Sequence, residues 1–360
     1  MNQPHRTIRV AIVDDSALMR RLISASLVNA PDIEIVGSAR DAFEARELIR
    51  ASDPDVVTLD VAMPGMSGID FLRKIMELRP TPVIMVSNLT AEGAETSVSA
   101  LQIGAIDVVQ KPQGANGLAP FGELLQGKIR LAAAAKASLV RKSDAGDISR
   151  EVAPLRGPAT RGLIAIGAST GGLSALSTLL AALPAQLPPI VIVQHMPKGY
   201  PERFAARLRA SLGRDVSEAR MGEVLKPGMI RIAPGERHMQ MGRLGNSLRT
   251  ELVEGPAVLG HCPSVDVLFE SVARTVRQRA LGIIMTGMGR DGAVGLSAMR
   301  RAGAACVGQG PESSVVWGMP KAAREMNALD EEAELPDLPA VICRLLTTPV
   351  AAPSAQTRKE

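Results

Sequence analysis

The sequence predicts an α/β protein made of two doubly wound parallel-sheet domains, the second carrying a β-rich insertion. Three observations lead there. At 360 residues the chain is too long for one ordinary domain. Short β-branched runs alternate with amphipathic helical segments up to Pro112, and the same alternation restarts at Gly162 after a polar stretch without period. Hydrophobic residues make up 46% and charged residues 22%, a composition that builds sizeable soluble cores and excludes disorder throughout.

In order, TIRVAIV, IEIVGSA, DVVTLDV, TPVIMVS and IDVVQKP read as strands, with SALMRRLISASLVN, DAFEARELIRA, GIDFLRKIMEL and GAETSVSALQIG as the helices between them. Parallel strands need such crossovers, so a five-stranded doubly wound domain over residues 1–125 is expected. The Ala-rich helix FGELLQGKIRLAAAAKASLV closes it. Residues 126–161 then hold the end of that helix and a flexible linker, RKSDAGDISREVAPLRGPATR. From 162 to 348 the strands LIAIG and PIVIVQ alternate with the helices SALSTLLAAL and PERFAARLRASL. A Gly- and Pro-rich interruption with short strands at MIRIAP and HMQMGR follows, and LGIIMTG, AVGLSAMRRAG and AACVG resume the pattern. Residues 349–360 form a low-complexity tail expected to be disordered.

The net charge of +4 does not point to nucleic acid. Residues 1–125 carry 11 basic and 16 acidic side chains, residues 126–161 carry 8 and 3, and residues 162–360 carry 22 and 18, so the excess sits in a connector. With 2% aromatics there is no stock of stacking side chains for a single strand. No apolar run approaches the roughly 20 residues of a membrane helix, so no membrane insertion is expected. The start, MNQPHRTIRV, has neither a basic leader nor an apolar core, and a cytoplasmic location is expected. Cys262, Cys306 and Cys343 are odd in number and far apart, which favours small buried hydrophobes over disulfides or zinc.

Chemistry gathers at strand ends. Asp14 and Asp15 follow the first strand and Asp60 the third, positions where an open α/β sheet builds its ligand site. Three converging carboxylates call for a cation, and a hard ion such as Mg²⁺ suits oxygen ligands. Ser87 and Lys111 end two further strands, and Pro112 fixes the turn after Lys111. A hydroxyl, an ammonium and a metal around one carboxylate suit phosphoryl transfer to it. Taken singly the residues have plainer roles: Asp14, Asp15 and Ser16 as helix caps, Asp60 in a turn, Lys111 as a solvated charge. Together, VDDS, LDVAMPGMSG, Ser87 and the Lys111-Pro112 pair resemble a two-component receiver domain over residues 7–125, of flavodoxin-like fold. The resemblance implies that Asp60 accepts a phosphoryl group from a histidine kinase, with Mg²⁺ held by Asp14, Asp15, Asp60 and the backbone carbonyl of Ala62. Val108 stands where receivers usually carry an aromatic residue.

In the second domain Gly167-Ala168-Ser169-Thr170-Gly171-Gly172 follows a strand and precedes a helix. A serine on such a turn is open to substrate, beside N–H groups that can face an oxyanion. The same turn can equally bind a phosphate or merely pack tightly. A serine nucleophile needs a base and an orienting carboxylate. Of the four histidines, His5 lies near the terminus, His238 and His261 fall in the irregular region, where a turn or core role is expected and substrate contact stays open, and His195 ends the strand PIVIVQ. Asp291 lies in Gly287-Met288-Gly289-Arg290-Asp291-Gly292 beyond another strand, where capping the helix AVGLSAMRR is the competing role. Ser169, His195 and Asp291 thus follow three strands at their carboxyl ends and can meet above one sheet.

The order Ser, His, Asp is not that of α/β-hydrolases. IGASTGG, VIVQHMPKGYPERFAARL, RIAPGERHM, PSVDVLFESVA, IMTGMGRDGA and VVWGMPKAA together resemble the Rossmann-like catalytic domain of the CheB family of chemotaxis protein-glutamate methylesterases, over about residues 162–325. N–H groups near Thr170 and Met288 are candidates for supporting an oxyanion, and the resemblance implies Ser169 as nucleophile, His195 as base and Asp291 as its orienter. It implies demethylation of glutamate esters, and deamidation of glutamines, on methyl-accepting chemoreceptor helices, activated by phosphorylation and needing no cofactor for hydrolysis. The sequence departs from the family at His261-Cys262 and at Gly308-Gln309-Gly310-Pro311. An unphosphorylated receiver is expected to hinder access of the receptor helix. The rival reading is a non-catalytic response regulator whose C-terminal domain binds a nucleotide or a protein through the GASTGG turn.

Overall fold

The computed structural model describes residues 7–88, 91–112, 117–144, 155 and 157–350. The chain divides into two compact units, one built on residues up to 148 and the other on most of the chain from 149 on. His5, most of the expected linker and the tail from residue 351 lie outside the described residues.

The first unit runs β1 (Ile8–Val13), α1 (Ala17–Leu27), β2 (Ile33–Ala39), α2 (Ala42–Ser52), β3 (Val56–Asp60), α3 (Gly68–Leu78), β4 (Val83–Ser87), α4 (Ala91–Ile103), β5 (Asp107–Gln110) and α5 (Leu118–Asp144). Its parallel sheet has the order β2-β1-β3-β4-β5. Strands β3 and β4 are buried along their whole length because helices cover both faces. Ile12, Ile84 and Val86 pack with Ile23 of α1 and Leu125 and Ile129 of α5; Val13, Leu59 and Met85 pack with Phe71, Leu72 and Ile75 of α3. Each such large side chain contributes about 1.5–3 kcal/mol by leaving water. Helix starts follow the capping rules: Ser16 Oγ accepts from Met19 N, and Asp41 Oδ1 accepts from Phe43 N and Glu44 N. The strand order reverses between β1 and β3, which opens a crevice at their carboxyl ends.

The second unit runs β6 (Leu163–Ala168), α6 (Gly172–Ala182), β7 (Ile190–Gln194), α7 (Tyr200–Leu212), β8 (Val216–Glu218), β9 (Ile230–Ile232), β10 (His238–Leu244), β11 (Ser247–Val253), α8 (Val265–Thr275), β12 (Ala280–Ile284), α9 (Ala293–Arg301), β13 (Ala305–Gln309), α10 (Met319–Glu325), β14 (Glu331–Ala333) and α11 (Leu338–Thr347). Seven parallel strands form the order β14-β13-β12-β6-β7-β9-β8. The strand at MIRIAP, grouped from sequence with the interruption, is β9: Ile230 and Ile232 are buried and pair beside Ile190 and Ile192 of β7. The interruption therefore reduces to the antiparallel hairpin β10–β11, closed by the two-residue turn Gly245-Asn246. Its Met239, Met241 and Leu252 share a core with Leu268, Phe269 and Val272 of α8. Cys306 is buried, whereas Cys262 and Cys343 are only half-buried; burial raises all three thiols above their ordinary pKa, which suits inert packing. Among the described residues no helix is long and apolar enough to cross a membrane.

Candidate functional site

Each unit carries a polar cluster at the carboxyl ends of its central strands. In the first, Asp14 follows β1 and Asp60 ends β3; both are buried, while Asp15 is exposed. One oxygen from each of the three carboxylates lies within 4.8 Å of the others. Lys111 Nζ sits 2.9 Å from Asp14 Oδ2 and 3.0 Å from Asp60 Oδ1. Burial, and then the charge on Asp14, push the Asp60 carboxyl above its ordinary pKa, although Lys111 and the N–H of Ala62 pull it down. Burial alone would lower the Lys111 ammonium, but its bonds to Asp14 and Asp60 win and raise it. One ammonium thus opposes three carboxylates, a surplus of negative charge that fits a hard cation.

The loop after β3 is held in place by close approach: Gly68 N donates to Val61 O at 3.0 Å, and a Cβ on Gly68 would lie 2.0 Å from the Asp60 carbonyl oxygen. Of the expected neighbours of Asp60, Ser87 turns its hydroxyl to the next residue, Oγ donating to Asn88 O at 3.3 Å, while the N–H of Ala62 donates to the Asp60 carboxylate. Lys111 is steered by its own N–H, which donates to Ser87 O at 2.8 Å. Val108 is half-buried on β5 beside Met85.

In the second unit β6 and β7 are paired so that Ala168 lies opposite Gln194. The next residues, Ser169 and His195, therefore leave adjacent strands side by side. Ser169 N donates to Thr286 O at 3.0 Å, and Gln194 Nε2 donates to Ser169 O at 2.9 Å, fixing the turn from both sides. Gly287 must be a glycine here, since a Cβ would come 2.7 Å from Ser169 Cβ. Thr170 is buried, and Met288 is exposed on the loop after β12.

His195 Nε2 lies 2.8 Å from Asp291 Oδ2. Asp291 is 1% exposed and has three further donors: Ser264 Oγ at 2.8 Å, Val265 N at 2.7 Å and Asp266 N at 3.0 Å. Burial would raise its pKa, but the hydrogen bond and charge of His195 and the two backbone N–H groups bring it down to about 2. The competing role as a cap of α9 is replaced by another one. Gly292 occupies that N-cap, and Asp291 instead satisfies the N-terminus of α8, from across the fold. An ionised carboxylate only accepts, so Nε2 carries the imidazole proton and Nδ1 is the basic nitrogen. Nδ1 is enclosed and has no hydrogen-bond partner among the described residues, so the Ser169 hydroxyl does not engage it in this conformation. Such bonds often form only in the substrate complex.

Sequence reasoning missed the Ser264–Asp266 anchor, although a serine before the apolar period of α8 is an N-cap signal. For His238 and His261 it offered a turn or core role, with substrate contact left open. His238 is buried, with Nε2 3.0 Å from Pro256 O and Nδ1 accepting from Ser264 N at 3.2 Å, a structural role. His261 stacks on His195.

Asp266 gives the unit a pH signature. Burial, helped by Asp291 and opposed by the N–H groups of Gly295 and Gly292, pushes its carboxyl from 3.8 to about 6. The folded state then holds this proton more tightly than the unfolded chain. The stability it contributes is full below the unfolded pKa and declines as the pH rises through about 6, by about 3 kcal/mol in all. Asp266→Asn should remove that decline, gaining on the parent between about pH 4 and about pH 7. Urea midpoints read through Trp317, the single tryptophan, check this; a gap independent of pH would contradict it.

Comparison with known proteins follows the two-unit division. A family model described as CheB methylesterase matches residues 164–342, and one described as response regulator receiver domain matches residues 10–120. The protein-glutamate methylesterase/protein-glutamine glutaminase 1 of Caulobacter vibrioides is 50% identical over 336 residues, 91% of this chain and 95% of its own. The corresponding Escherichia coli K12 protein is 47% identical over 331 residues, 91% and 94%. The solved catalytic domain of Thermotoga maritima CheB methylesterase is 32% identical, with a TM-score of 0.50, over 51% of this chain and 98% of that one.

Proposed function

Because this chain belongs to the CheB methylesterase family, we propose that it is a phosphorylation-activated protein-glutamate methylesterase, and also a protein-glutamine glutaminase. Residues 1–125 are assigned as the receiver and 162–348 as the catalytic domain. The reading that the second domain only binds a ligand is not favoured, since it gives the His195–Asp291 pair no task. The observation that carries the proposal is an imidazole fixed on a buried carboxylate by Nε2, its other nitrogen without a partner among the described residues, at the end of the strand next to Ser169.

Ser169 Oγ attacks the γ-carbonyl carbon of a methylated glutamate on a chemoreceptor helix while His195 Nδ1 takes the hydroxyl proton. N–H groups near Thr170 and Met288 face the developing oxyanion. As the intermediate collapses, His195 returns the proton to the leaving oxygen and methanol departs. Water then gives a proton to the same nitrogen and attacks the acyl-serine, restoring serine and yielding the receptor carboxylate. From a glutamine the same steps release ammonia. Asp291 stays ionised throughout and steadies the imidazolium.

In the receiver, an Asp60 oxygen attacks the phosphorus of a kinase phosphohistidine and the P–N bond breaks. Asp14, Asp15, Asp60 and the Ala62 carbonyl would hold Mg²⁺, which when bound neutralises charge on the transferring group. Lys111 neutralises it from the other side. With a histidine kinase and receptor helices as partners, its work is in the cytoplasm. Methanol release from methylated receptor by the full chain tests the function: turnover is expected, rising with an acyl phosphate as phosphodonor, and no methanol under either condition would refute the reading.

A further inference from the structure

We propose that His261 is a positioning residue for hydrolysis, holding the plane of the His195 ring by lying flat against it. The inference rests on the reading of His195 as the base. The two imidazoles stack with centroids 3.7 Å apart and planes 9° from parallel. The bond from Nε2 to Asp291 fixes one point of the His195 ring, but a ring held at one point can still tilt and swing Nδ1 off the line to Ser169. A flat neighbour at van der Waals distance blocks that tilt. The hydrogen bond sets where the ring is, and the stack sets which way Nδ1 faces.

The segment bearing His261 is built for this placement. Val258 N donates to His261 O at 3.0 Å and His261 N to Val258 O at 2.9 Å, closing a tight turn whose central residues, Leu259 and Gly260, both have positive φ, 51° and 83°. Leucine is poorly suited to that region, so the turn is held against its own preference. Three residues after His261, Ser264 bonds Asp291, and buried His238 ties Pro256 and Ser264 on either side. One short stretch thus supports both the carboxylate and the face of the base.

The test uses the full chain with His261→Ala and His261→Phe. Alanine should lower kcat for methanol release about ten- to a hundredfold with KM within about twofold, the scale of a catalytic group present but poorly aimed. Phenylalanine, which keeps a flat ring, should recover most of the loss. Independently of activity, the His195 ring protons should lose an upfield ring-current shift in the alanine variant and keep it in the phenylalanine variant. An unchanged kcat, a loss confined to KM, or ring-proton shifts that do not respond to alanine would each overturn the assignment. A parent that releases no methanol yet shows the ring-current shift would instead count against the function and leave only the stack.

Discussion

Ser169→Ala is expected to abolish methanol release, by about 10⁴-fold or more, while phosphorylation of Asp60 proceeds as in the parent. The size follows from how such residues act: nucleophile and base work as a unit, and removing either leaves only binding and oxyanion stabilisation. The fold should not suffer. The turn is held by the backbone of Ser169, through the bonds to Thr286 and Gln194, and alanine keeps both. Thermal stability should stay within about 0.5 kcal/mol of the parent. Retained hydrolysis in a folded Ser169→Ala variant would remove the nucleophile assignment.

Asp60→Asn should remove phosphoryl incorporation altogether and with it the stimulation of hydrolysis by a phosphodonor, leaving the basal rate. An amide nitrogen or oxygen is no nucleophile toward phosphorus here. The first unit should remain folded. Asparagine removes a carboxylate that burial and Asp14 already disfavour, and Lys111 keeps Asp14 as partner. Incorporation is checked with labelled phosphodonor, stimulation by methanol release; equal stimulation of parent and variant would separate control from Asp60.

The residues that end strands were legible in the sequence, because in a parallel sheet the carboxyl end of each strand is forced to one edge. Asp14, Asp60 and Lys111 converge for that reason, and Ser169 and His195 fall side by side once β6 and β7 pair. What escaped was the second layer of contacts. Asp291 is anchored by Ser264, Val265 and Asp266, residues at the start of another helix that only tertiary packing brings near. The His261 stack likewise depends on the path of an irregular loop, which has no period to read. Strands β8, β9 and β14 have three residues each, too few for alternation to declare itself, so sequence alone groups β9 with a hairpin it does not join. The direction of the Ser87 hydroxyl is a side-chain orientation that the sequence does not encode on its face.

The proposed mechanism of hydrolysis turns on which nitrogen of His195 is basic. There are only four histidines, so ¹⁵N-histidine labelling of the full protein gives few resonances, and His195→Gln identifies the relevant pair. At a pH where methanol is released, a proton is expected on Nε2, bonded to Asp291, with Nδ1 unprotonated. A proton resident on Nδ1, with Nε2 bare toward the carboxylate, would contradict the proposed chemistry.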